Sequence, residues 1–72
     1  MASPIPLQGE FITLGQAVKL AGLADTGGQA KGIVRTGMFR VNDVAEHRPG
    51  RKLHAGDVIR QHPSGQEWII QA

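Results

Sequence analysis

The 72-residue chain has no cysteine, so neither a disulfide nor a thiolate metal site is available to staple so small a fold. It has no tyrosine either, and its aromatics are Phe11, Phe39 and Trp68 alone. The core must therefore be small and aliphatic. No apolar stretch approaches the roughly 20 residues needed to cross a bilayer, and the opening Met1 to Pro6 lacks the basic start and apolar run of a signal peptide. These absences lead us to expect a cytoplasmic protein that does not contact membranes. His47, His54 and His62 are spaced seven and eight residues apart, with no cysteine or paired carboxylate positioned nearby, which gives no zinc pattern. Ser3 and Ser64 lie in no nucleophile motif. We therefore expect no catalytic residues, no metal and no cofactor.

What the chain does have is glycine and unevenly placed charge. Ten glycines imply many turns and argue against a helical bundle. Net charge is only +2. Yet residues 31–60 hold Lys31, Arg35, Arg40, Arg48, Arg51, Lys52 and Arg60 against Asp43, Glu46 and Asp57, a local +4, and the remainder carries −2. A compact basic surface on a small domain is the footprint of a nucleic-acid binder, and also fits an acidic protein partner.

Pro4, Pro6 and Gly9 make residues 1–10 a flexible tail or a loosely held edge segment, leaving 11–72 as the domain. Phe11-Ile12 reads as a very short strand, and Thr13 as the N-cap of a helix from Leu14 to Ala21. Leu14, Ala17, Val18 and Ala21 form its apolar stripe with Leu20 on the flank, Lys19 points away, and Gly22 follows as a C-cap. Gly15 weakens its first turn by up to about 1 kcal/mol.

A second helix runs between Thr26 and Gly37. Thr26 and Gln29 have capping-box spacing, and Gly37 stands where a left-handed residue ends a helix. Ala30, Ile33, Val34 and Gly37 fall on one face, Lys31 and Arg35 on the other. Gly27 and Gly28 leave backbone N–H groups uncovered at the positive end of the helix dipole, where a phosphate can approach. An ordinary solvated face after a glycine turn fits the same residues.

Beyond Gly37 the period becomes two. Phe39 to Val41 reads as a strand with Asn42-Asp43 as turn residues, and Ala45 to Lys52, with Pro49 and Gly50, as a basic loop. Leu53 returns to the core. A turn at Ala55 to Asp57, a strand from Val58 to Arg60, a turn at His62 to Gly65 and a strand from Glu67 to Gln71 complete the chain. The fold class is α+β, two short helices packed on a small, mainly antiparallel sheet. We expect a core of Leu14, Val18, Leu20, Ala30, Ile33, Val34, Phe39, Val41, Leu53, Val58 and Trp68.

In this order and spacing, Gln29-Ala-Lys31, Gly37, Val41-Asn42 and Gly56-Asp-Val-Ile59 resemble the RNA-binding domain named after ribosomal small-subunit protein four, the alpha-L motif. The likeness runs from about Phe11 to Ala72. Leu14-Gly-Gln16, Lys19-Leu20, Gly27-Gly28, Arg48 and Gly50-Arg-Lys-Leu53 look like its stand-alone small bacterial branch. Many relatives have Ser-Arg where this chain has Gly27-Gly28, so backbone N–H groups stand in for an arginine. The resemblance implies a monomer that binds structured RNA, ribosomal or transfer RNA, in contact with ribosomal subunits or assembly factors. The candidate binding residues are Lys19, Gly27, Gly28, Gln29, Lys31, Arg35, Arg40, Asn42, Arg48, Arg51 and Lys52. The alternative is a protein-interaction module that docks its basic face on an acidic partner in ribosome assembly or replication.

Overall fold

The computed structural model describes residues 2–72. Two helices, α1 (Leu14–Leu20) and α2 (Gly27–Arg35), follow two short strands, β1 (Ala2–Pro6) and β2 (Ile12–Thr13). After them come β3 (Phe39–Val41), β4 (Val44–Glu46), β5 (Lys52–Leu53), β6 (Val58–Gln61) and β7 (Glu67–Gln71).

Each helix starts at the threonine expected of it. The Thr13 hydroxyl accepts the N–H of Gln16 while the Gln16 side chain accepts the N–H of Thr13, a complete capping box. At α2 the Thr26 hydroxyl accepts the Gln29 N–H, but the Gln29 side chain reaches one residue further back and accepts the N–H of Asp25. Gly37, with φ of +83°, takes the chain out of α2 and toward β3.

The main sheet has the order β1-β7-β6-β3-β4, antiparallel except for the β1–β7 pair; β2 and β5 form a second, two-stranded sheet. Asn42 and Asp43 both have positive φ, 51° and 69°, the backbone of a primed two-residue turn. That turn closes a β3–β4 hairpin, so Val44–Glu46 is a strand, and Ala45 and Glu46, read from sequence as part of the basic loop, belong to it. Residues 2–6, read as a tail or loosely held edge segment, form an edge strand with Ile5 buried. Leu7 N–H donates to the Gln71 carbonyl, and the alternation places Pro4 and Pro6 with their missing N–H groups away from β7.

The core lies between the helix pair and one face of the sheet. It takes Leu14, Ala17 and Val18 from α1, Ala30 and Val34 from α2, and Phe39, Val41, Ile59, Trp68 and Ile70 from the sheet, closed by Ile5, Ile12 and Leu53. Three expected members differ. Leu20 is 58% exposed because it ends a two-turn helix on its flank. Val58 is half-buried with its register partner Ile69 on the outer pleat, and Ile59 takes the core position beside it. Ile33 is half-buried at the core's margin.

Candidate nucleic-acid interface

The loop from Glu46 to Lys52 is built around a carboxylate. The Glu46 residue is only 5% exposed, and its two oxygens accept from the backbone N–H groups of His47 and Arg48 and from both nearby guanidinium groups. Arg48 donates through Nε at 3.0 Å and Nη2 at 3.1 Å, and Arg51 through Nη1 at 3.0 Å. The Arg48 hydrogen bonds, opposed by burial and assisted by Arg51, hold the Glu46 carboxyl well below its ordinary range, at about 2. Every buried hydrogen-bonding atom of this side chain is satisfied.

The same loop is fastened to the start of α1. Leu14 N–H donates to the Arg51 carbonyl and Gly15 N–H to the Pro49 carbonyl, each at 2.9 Å. Two N–H groups that a helix start leaves unpaired are thus taken by the loop. Gly15 lies directly under it, with room for one methyl group: a Cβ would sit 3.4 Å from the Pro49 oxygen.

This fastening sets the positions of the candidate residues. Lys19, Gly27 and Lys31 line one groove together with Pro49 and Gly50, and Arg48, Arg51 and Lys52 line an adjoining depression that shares Gly50. Gly28 and Gln29 lie exposed in the first turn of α2, and Arg35 is exposed at its last turn. Beyond the helix's own backbone and the adjoining residues, a Cβ built at Gly27 or Gly28 would meet open space, so the helix start is open to a ligand. Among the described residues, Lys19, Lys31, Arg35, Arg40 and Lys52 form no ion pair.

Arg40 and Asn42 lie elsewhere. Arg40 is on the outer pleat of β3 opposite Arg60. The Asn42 side-chain amide donates to Asp57 and its oxygen accepts the Val58 N–H, so the side chain locks the turn to β6. Burial pushes the Asp57 carboxyl up, but hydrogen bonds from the His54 N–H and Asn42, with the nearby positive charge of Arg51, together outweigh it and hold the group below its ordinary range. Arg60 pairs with Glu67 at 2.9 Å and Asp43 at 3.7 Å. Arg51 is bonded to Glu46 and two-thirds buried, so a carboxylate substituted there would face another.

The profile of the S4 domain matches residues 5–70. The chain belongs to the S4 domain family. Among curated proteins, this S4 domain is 48% identical over 70 residues to the probable ribosome maturation protein RlbA of Bacillus subtilis (strain 168), covering 97% of this chain and 99% of that protein. Sequence reading missed the buried Glu46, although a lone acid two and five residues before arginines is a visible signal. No helix among the described residues is long and apolar enough to cross a membrane.

Proposed function

We propose that this S4 domain is a non-enzymatic, monomeric cytoplasmic protein that binds structured RNA, ribosomal or transfer RNA, in a ribosome-related process. The observation that carries the reading is the fastening of the Glu46–Lys52 loop to α1, which sets loop cations beside Lys19 and Lys31 in adjoining grooves. In this reading Lys19, Lys31, Arg35 and Lys52 neutralise phosphates directly. Gly27 and Gly28 offer backbone N–H groups at the dipole's positive end. Arg48 and Arg51 share one carboxylate and so supply one net positive charge, with Arg48 the more exposed of the two. Arg40 is peripheral, and Gln29 and Asn42 act through the protein's own hydrogen bonds. The relative's printed role in ribosome maturation supports the same class of target. Shape and 2′-hydroxyl contacts across a wide minor groove would give selectivity.

The test is the salt dependence of affinity. Neutralising three to six phosphates gives a log–log slope of magnitude about 2 to 5. Structured RNA should show that slope, and single-stranded homopolymers should compete poorly. Affinity that stays flat between low and moderate salt would overturn the reading in favour of docking on a protein partner.

A further inference from the structure

Phe11 is not accounted for by a backbone-reading site. It is 41% exposed in a chain with few aromatics, while Phe39 and Trp68 are buried. Its ring lines a groove of about 440 Å³ with Pro6, Ile12, Gln16, Lys19 and Leu20, within the roughly 300–1,000 Å³ of small-ligand sites. The Lys52 ammonium sits 4.8 Å from the ring centroid, and His54 lies tilted against it at 6.5 Å between ring centroids. Lys52 does not line the groove, and neither does Glu10.

Resting on the proposed RNA-binding function, we infer that this groove holds one unpaired nucleobase of the bound RNA, stacked on Phe11. Three observations select that occupant. The walls combine the apolar Pro6, Phe11, Ile12 and Leu20 with the polar Gln16 and Lys19, a mixture suited to a flat heteroaromatic ring with polar edges attached to a phosphate. Gln16 and Lys19 also line the groove that holds Gly27 and Lys31, so the two depressions share a wall and a strand leaving one enters the other. Two basic residues adjoin the site, Lys19 among the residues lining the groove and Lys52 with its ammonium over the ring, which matches the charge of the adjacent backbone. A single ring serves one base and not a run of them, in keeping with the poor competition expected of homopolymers.

The experiment compares a blunt RNA duplex with the same duplex carrying one bulged adenosine, titrated with wild type, Phe11→Ala, Phe11→Leu and Lys31→Gln. Stacking of one base on an aromatic ring is worth about 1–3 kcal/mol, so wild type should prefer the bulged duplex by about fivefold or more. Both Phe11 variants should lose that preference, the leucine variant while keeping apolar bulk and the fold. Lys31→Gln should weaken both duplexes by the same factor. Equal affinity of wild type for the two duplexes, or a preference that survives in Phe11→Leu, overturns the base site and leaves RNA binding standing. Binding of neither duplex overturns the RNA reading itself. A wild-type protein that self-associates on concentration, with Phe11→Ala remaining monomeric, would assign the groove to a second copy of the chain and also overturn the inference.

Discussion

Glu46 sets the geometry of the basic loop, because a carboxylate buried beneath two arginines aims both and offsets one of their two charges. Its depressed pKa fixes the direction of a pH effect. A carboxyl held at about 2 when folded and at an ordinary 4.5 when unfolded stabilises the fold above pH 4.5, and that stabilisation is lost as pH falls toward 2. Glu46→Gln should lower Tm at neutral pH by roughly 5–10 °C, through lost charge-assisted hydrogen bonds. It should also flatten the acid decline, though not abolish it, since Asp57 shifts in the same direction. Thermal melts from pH 7 to pH 2.5 measure both effects, and parallel curves for the two proteins would show that Glu46 is not the group responsible.

At the scale of elements, the helices were legible from their caps and the sheet only partly so. Thr13, Thr26 and Gly37 carry local chemistry that acts within one turn, so spacing alone located both helices. By contrast β1 owes its place to the distant β7, and its prolines read as a tail until the pairing puts them on the unbonded side. The β4 strand was hidden because Val44 is 63% exposed and Glu46 is charged, which leaves no apolar alternation to read. The loop's basic residues were visible in sequence; their fastening to α1 was not, because it runs through backbone carbonyls. Gly15, read as a weak point in a helix, is the residue that lets the loop lie there. Gly15→Ala fits in ordinary contact and should be neutral or stabilise by up to about 1 kcal/mol, through helix propensity. Gly15→Leu should displace Pro49 and lower both Tm and RNA affinity. Thermal melts with RNA titrations decide it, and an unaffected leucine variant would mean that the loop does not depend on α1.

For the molecule as a whole, the basic residues differ in both position and pairing. Among the described residues, Lys19, Lys31, Arg35 and Lys52 form no ion pair on the helix and loop side, whereas Arg60 is engaged by Glu67 and Asp43 on the sheet. Long-range attraction for RNA would respond to total charge, but a localised interface responds to position. The most direct measurement is the affinity of one structured RNA, at fixed salt, for wild type, Lys31→Gln and Arg60→Gln, after their melts are shown to match. Each variant removes one positive charge from an exposed side chain. Loss of one phosphate contact should weaken Lys31→Gln by about fivefold, with Arg60→Gln changed by less than about twofold. Equal losses for the two would contradict a site centred on α2 and its neighbouring loop.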